Sequence, residues 1–414
     1  MKKKAISLLV ATAMTASVVV GCSGGSGSET TAAQTEAKTT QAQTEAKTTG
    51  AETKAADSNS TASGTFKIGS IGPITGGAAN YGQNTKNGAE LAVEEINAMG
   101  GIQFEFNFQD DEHDAEKSVN AYNTLKDWGM QLLMGCVTST PSTAVAAKTA
   151  EDNMYQLTPS GSAVACIEKD NAFRVCFSDP NQGLASAQYI GSHNLAQKVA
   201  IIYNSSDVYS TGIYEKFVTE SANQPFEVVS EQAFTEDNKT DFSTQLQQAQ
   251  SSGADLVFLP IYYDSAALIL QQASGMGFAP TWFGCDGLDG ILGVQNFDTK
   301  LAEGVMLLTP FAADAKDERT QSFVKAYKEK YGDTPTQFAA DGYDAMYIIK
   351  AALEKANATS DMSVSDLCEA MKKAMTEITV DGLTGTGITW SADGEPTKDP
   401  KAVKIQDGVY TAME

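Results

Sequence analysis

Histidine is almost missing from this chain: its 414 residues include two, His113 and His193, in unrelated surroundings. Imidazole is the usual general base near neutral pH and the commonest zinc ligand, so histidine catalysis and most zinc sites are poorly supplied. Cysteine is scarce too. Apart from Cys22 there are Cys136, Cys166, Cys176, Cys285 and Cys368, with no C-x-x-C spacing. An odd set of five leaves at least one thiol unpaired in an exported protein. Positive charge is outnumbered, 29 Lys and Arg against 52 Asp and Glu, for a formal net charge of −23. That balance argues against nucleic acid, and against broad contact with anionic lipid, as partners. The N-terminal apolar segment, Ala5 to Val20, is 16 residues long, short of the ~20 that cross a bilayer.

That segment follows Lys2, Lys3 and Lys4 and ends in "VVGC" at Cys22. A basic start, a short apolar stretch and small residues before a cysteine resemble a lipoprotein signal with its lipobox. Residues 1–21 are therefore read as a signal peptide and Cys22 as the lipidated residue. The expected location is the outer face of the cytoplasmic membrane, reached by export. Residues 23–64 contain no aromatic residue, Val, Ile or Leu and repeat "QTEAKTT" at 34–40 and 43–49. Nothing in them offsets the entropy of ordering, so 22–64 read as a lipidated cysteine and a flexible tether, about 35 Å in mean span.

Beyond Thr65 strand and helix patterns alternate. "FKIGSIG", "IQFEFNFQ", "MQLLMG" and "MYQLT" read as strands, separated by "NGAELAVEEINAMGG", "DAEKSVNAYNTLKDWG" and "PSTAVAAKTAEDN" as helices. A second series starts near Asn181, with strands "KVAIIY", "FEVVSEQ", "ADLVFLP" and "TWFG" between helical stretches. Helices then dominate to about residue 375, followed by a β-rich tail with "GITWSADGEP" and "AVKIQDGVY". This order predicts an α/β protein with two doubly wound lobes and parallel central sheets. In such sheets ligands sit beyond the carboxyl ends of the strands.

Several motifs fail on context. "GCSGG" at 21–25 has the spacing of a nucleophile elbow but no strand before it and no helix after it. "GMGFAP" at 275–280 lacks the third glycine of a dinucleotide loop and ends a helix. "DDEHD" at 110–114 lacks the glycine and terminal glutamate of a calcium loop and reads as helix capping. No catalytic residue, metal site or cofactor is expected. What survives is a pair of junctions, "CVTSTP" (136–141) and "LTPSGSA" (157–163), each after a strand. Both offer hydroxyls, small residues and backbone N–H groups free to meet an anion; plain N-capping by Ser139 or Thr140 is the bland alternative.

The stretch "IGPITGGAANYGQNTKNGAELAVEEINAMGGI" (71–102) resembles the opening of the leucine/isoleucine/valine-binding proteins of ABC importers. The likeness continues in order through "LLMGCVTSTPS", "YQLTPSGSA", "FRVCFSDPNQG", "VAIIYNSSDVYSTG", "ADLVFLPIYYDSAALILQQA" and "WFGCDG", over essentially all of 65–414. The resemblance implies a type I periplasmic-binding-protein fold, with lobes at 65–179 plus 311–380 and at 181–309 plus 383–414 joined by three crossover strands. It implies that Ser139, Ser160 and Ser162 bind the carboxylate and ammonium of an amino acid. Asp286 is then the ammonium counter-charge, Tyr209 and Tyr262 close from the second lobe, and Tyr81 and Phe338 wall the side-chain pocket. A disulfide of well-known members falls here on His113 and Thr138 and is therefore missing. Cys166 and Cys176 could form a local bridge or be buried apolar residues.

The resulting expectation is a monomeric, lipid-anchored receptor that is not an enzyme, delivering a branched-chain or other apolar amino acid to an ABC permease. The rivals are the same fold binding an amide, urea or aromatic acid, and a ligand-sensing surface lipoprotein. A ligand without an ammonium gains nothing from a buried Asp286. A sensor ectodomain would call for a membrane helix after Glu414, which this sequence does not carry.

Overall fold

The structure, a computed structural model, describes residues 52–54 and 61–413. The signal segment 1–21 and Cys22 lie outside the described residues, as does the tether except at 52–54 and 61–64. Strand β1 (Glu52–Lys54) pairs antiparallel with Thr379–Asp381, although composition predicts no order there. The first lobe then runs β2 (Thr65–Gly72), α1 (Ala79–Met99), β3 (Gln103–Asp110), α2 (Ala115–Trp128), β4 (Leu132–Gly135), α3 (Ser139–Glu151), β5 (Gln156–Thr158) and β6 (Ala172–Arg174). The second runs α4 (Asp179–Ser192), β7 (Lys198–Asn204), α5 (Val208–Ser221), β8 (Glu227–Phe234), α6 (Ser243–Ser251), β9 (Leu256–Leu259), α7 (Tyr263–Gly275), β10 (Thr281–Gly284) and β11 (Met306–Thr309). The chain returns to the first lobe for α8 (Glu318–Tyr331), α9 (Gln337–Ala356), α10 (Val364–Met375) and β12 (Thr379–Asp381), and ends in the second with β13 (Lys401–Gln406) and β14 (Val409–Ala412).

The first sheet has the order β3-β2-β4-β5-β6, all parallel; the second has β14-β13-β11-β10-β9-β7-β8, antiparallel only at β13 and β14. Both faces of each sheet are covered. Leu132 and Met134 enter one core while Leu133 enters another, and Val199 and Ile201 part from Ala200 and Ile202 in the same way. Burial on both sides is why these strands read as unbroken apolar runs. Helix starts and stops follow local chemistry. Asp114 accepts from the Lys117 N–H at the start of α2, and Gly129 closes it in the left-handed conformation. Asp110 accepts from the Ile74 and Glu112 N–H groups, so these two carboxylates of "DDEHD" cap and tie loops.

Helix α9 is buried on nearly every side and crosses α1 at backbone distance. A Cβ on Gly88 would lie 1.9 Å from the Ala339 carbonyl oxygen, and one on Gly342 would lie 2.3 Å from that of Thr85. Two structural details depart from the sequence reading. Helix α1 starts at Ala79, eight residues before its amphipathic pattern, because Asn80 and Tyr81 in its first turn serve polar contacts across the cleft and Asn84 bonds to Tyr327 within the first lobe. "GITWSADGEP" makes only isolated bridges, Val380 with Ile388 and Trp390 with Pro396. Leu383, Ile388 and Trp390 pack in the first lobe's core, with the Trp390 indole N–H donated to the Arg174 carbonyl. The final crossing to the second lobe therefore follows Trp390, later than residue 383.

Candidate functional site

Each sheet reverses its strand order once, between β2 and β4 in the first lobe and between β7 and β9 in the second. The connections leaving neighbouring strands there turn away from each other and open a crevice at the carboxyl edge. Tyr81 follows β2 and Ser139 follows β4, while Tyr209 follows β7 and Tyr262 follows β9. Ser160, after β5, and Asp286, after β10, complete the two edges, and Phe338 lies in the first turn of α9. The structure brings Tyr81, Ser139, Ser160, Tyr209, Tyr262, Asp286 and Phe338 around one cavity.

On the first lobe the Ser139 hydroxyl accepts from the Ser162 and Ala163 N–H groups, both at 3.2 Å. Its own proton is left to donate, and the first turn of α3 presents N–H groups with no intrahelical partner. Ser139 is thus not an N-cap: that position falls to Thr138, whose hydroxyl bonds to His113 Nδ1 at 2.8 Å instead. The 160–163 loop is held from behind by Arg174, a side chain buried to 1 % exposure. Its guanidinium donates to the carbonyls of Gly161, Ser162 and Ala163 and pairs with Glu395 at 3.1 Å. Ser162 does not line the cavity. Its N–H goes to Ser139, and its carbonyl accepts from Arg174 and from the Asp179 N–H.

On the second lobe Asp286 is 2 % exposed. Burial pushes its carboxyl up to about 6, against the hydrogen bond from Tyr209 that favours the ionised form. The Tyr209 hydroxyl donates to Asp286 Oδ1 at 2.7 Å and accepts from the Gly287 N–H at 2.9 Å. Residue 287 has to be glycine for this, since a Cβ would stand 2.6 Å from that hydroxyl. Gln182 accepts from the Asp286 N–H at 3.2 Å. Tyr262 stacks on Tyr209 at 4.8 Å and meets His113 edge-on.

The lobes are closed on each other. Tyr81 donates its hydroxyl to the Gly287 carbonyl at 2.5 Å and accepts from the Tyr263 N–H at 3.1 Å. Asn80 adds bonds to the Tyr263 hydroxyl and the Gly290 carbonyl, and Thr140 reaches Asp207 at 3.4 Å. Hydroxyl and backbone N–H groups on one lobe and a buried carboxylate on the other therefore line one closed, aromatic-walled cavity, where a charge pair would be strong. Among the described residues no group of His, Cys, Asp and Glu is arranged to hold a metal ion, and no helix is long and apolar enough to cross a membrane. Cys166 and Cys176 are not bridged; both are buried thiols, and Cys166 packs under the Ser139 carbonyl. Arg174, Gln182, Tyr263 and Gly287 were not anticipated as site residues. Only the position of each after a strand or in a helix start hinted at a role.

Comparison with known proteins gives the same architecture. The family of periplasmic binding proteins matches residues 65–409. The Leu/Ile/Val-binding protein homolog 3 of Brucella melitensis is 29% identical over 368 residues, covering 86% of this chain and 95% of its own. The Leu/Ile/Val-binding protein BraC3 of Rhizobium johnstonii is 31% identical over 302 residues, covering 71% and 80%. Among solved structures, a branched-chain amino acid transporter substrate binding protein of Streptococcus pneumoniae in complex with isoleucine superimposes with a TM-score of 0.76 at 26% identity, covering 84% of this chain and 98% of its own. A benzoate-bound solute binding protein of R. palustris shares the fold, with a TM-score of 0.75 at 20% identity over 84% and 96% of the two chains. The chain belongs to the periplasmic binding protein family, with the type I fold of two α/β lobes.

Proposed function

We propose that this periplasmic binding protein captures an α-amino acid with an apolar side chain between its lobes and hands it to an ABC permease. The observation that carries the reading is the pairing of the Ser139 cradle with Asp286 across one closed cavity. A zwitterion satisfies both ends at once. Ligand docks by its carboxylate on the Ser139 and Ser160 edge, and closure brings Asp286, Tyr209 and Tyr262 onto its ammonium side. The closed shape is the state a permease can recognise. Relatives whose names state leucine, isoleucine and valine binding support the class of ligand. The aromatic-acid alternative rests on shared fold alone, and a buried carboxylate at Asp286 would repel such an acid.

Thermal denaturation tests this directly, because a ligand that binds only the folded state raises its melting temperature by mass action. Alanine and the larger apolar amino acids should raise it, whereas propionate, isovalerate and the matching amines should not. An acid that stabilises as well as its amino acid would remove the ammonium site.

The reading includes attachment through Cys22, which lies outside the described residues, and action as a monomer. Cys22→Ala should give a protein that takes up no fatty-acid label and is released from the membrane or keeps its signal segment. Labelled C22A protein would reject the lipid anchor.

A further inference from the structure

We propose that Asp289 is the clasp of the closed state: from the second lobe it caps helix α9 of the first, and so sets how long ligand stays bound. This rests on the amino-acid reading of the site and adds to it a positioning residue that does not line the cavity. Asp289 follows β10, three residues after Asp286, and its N–H closes that turn on the Asp286 carbonyl at 2.9 Å. Its Oδ2 accepts from the N–H of Gln337, the first residue of α9, at 2.7 Å. The cap of α9 is therefore supplied from across the cleft. The local candidate does not serve. Thr336, at the N-cap position, makes no side-chain cap bond, and its hydroxyl is buried with no hydrogen-bond partner among the described residues.

Closure is what makes this bond necessary. An N–H in the first turn of a helix has no intrahelical partner, and water serves it while the lobes stand apart. In the closed molecule Gln337 and Asp289 are both buried. A buried donor left without an acceptor costs its full desolvation, so removing the Asp289 oxygens penalises the closed state selectively. The bond also sits where it can act on the ligand. The Gln337 side chain accepts from Thr309 Oγ1 at 2.7 Å, at the end of β11 where the chain turns back to the first lobe. Phe338, the next residue of α9, lines the cavity. On the other side, the Gly287 carbonyl accepts from Tyr81 and the Gly290 carbonyl from Asn80. The turn 286–290 thus carries the ligand's counter-charge together with three bonds to the first lobe. Of these, the Asp289 bond alone is made by a side chain of the turn, so it can be removed without changing the backbone.

Calorimetry and stopped-flow kinetics with leucine and with alanine test the clasp. Asp289→Ala should weaken binding roughly tenfold or more. The dissociation rate should carry that change, with the association rate within about twofold of the original, because the clasp forms after the ligand has docked. Asp289→Leu, of similar shape but with no acceptor, should follow Asp289→Ala. Asp289→Asn should rescue affinity to within about threefold, since its amide oxygen accepts the same N–H. Burial already holds the Asp289 carboxyl up to about 7, so near neutral pH the native group is itself part protonated and the neutral amide is a close substitute. Unchanged affinity in both acceptor-free variants, or a loss carried by the association rate, overturns the clasp and leaves the amino-acid reading intact. An Asp289→Asn protein as weak as Asp289→Ala also overturns it. Failure of the unaltered protein to bind either amino acid overturns both.

Discussion

Replacing Asp286 by Asn should leave a folded, closing protein whose amino-acid affinity is at least roughly thirtyfold weaker. The substitution keeps volume and the capacity to hydrogen-bond to Tyr209, and removes the charge that meets the ligand ammonium. Truncating one side of a desolvated charge pair costs about 2–5 kcal/mol. The pH dependence separates this from a general loss of fit. Burial raises the Asp286 carboxyl to about 6 in the folded protein, so below about pH 6 it takes up a proton and the counter-charge is lost. Affinity in the unaltered protein should be flat above that point and fall as the pH drops through it, and Asp286→Asn should flatten the profile. Stability of the free protein runs the other way. A carboxyl whose folded pKa lies above its unfolded value favours the fold most when protonated, and that contribution is lost as pH rises from about 4 to about 6. At pH 7.5 the free variant should therefore melt at or above the temperature of the unaltered protein. An unchanged Kd in Asp286→Asn would sink the zwitterion reading.

Much of the architecture was legible because both faces of each sheet are buried. Runs such as "MQLLMG" and "ADLVFLP" stand out against polar helix starts, and their alternation with helices is enough to imply parallel sheets. The site residues were legible for a related reason. A ligand crevice forms where strands end, so Ser139, Tyr209, Tyr262 and Asp286 could be singled out by position, with the resemblance to amino-acid receptors supplying their roles. The first turns of α1 were hidden because Asn80 and Tyr81 are spent on contacts across the cleft and Asn84 on a bond to Tyr327, which erases the apolar stripe a helix normally shows. Nothing in the sequence marks 383–390 as part of the first lobe, since Trp390 reads like any strand aromatic. Its partner, the carbonyl of Arg174, lies 216 positions away in sequence.

Ser162 illustrates a finer limit. Sequence places its hydroxyl beside those of Ser139 and Ser160, yet a loop of four residues cannot aim every side chain the same way. Its backbone ends up supporting Ser139, while the residue itself stays out of the cavity lining. The contact between His113 and Thr138 was equally unreadable. A hydrogen bond between their side chains depends on loop geometry that no spacing encodes.

Arg174 is the residue whose removal should do the most damage to the fold of the site. One lone arginine at a strand end has no pattern to mark it, but its guanidinium satisfies the carbonyls of Gly161, Ser162 and Ala163 and ties them to Glu395 on the last crossing segment. Arg174→Met keeps the length and apolar stem but takes the donor from the Gly161 carbonyl, leaves the Ser162 and Ala163 carbonyls only the Asp179 and Cys166 N–H groups, and leaves Glu395 without its cation. Losing these charge-assisted hydrogen bonds costs about 1.5–3 kcal/mol, a fall in melting temperature of about 3 °C for a chain of this size. Binding should weaken as well, because the Ser162 and Ala163 N–H groups that orient Ser139 belong to the same loop. Arg174→Lys should sit between the two, since an ammonium keeps the charge but lacks the planar fork that reaches several carbonyls at once. Glu395→Gln should cost at most about 1 kcal/mol, because Glu395 lies at the edge with its side chain 32% exposed. Denaturation and calorimetry on the three variants check the order. If Arg174→Met melted with Glu395→Gln, the guanidinium would be a passive passenger in the core, and the cradle would have to be organised by Thr158 and Ser142, which bond the Cys136 carbonyl on its other side.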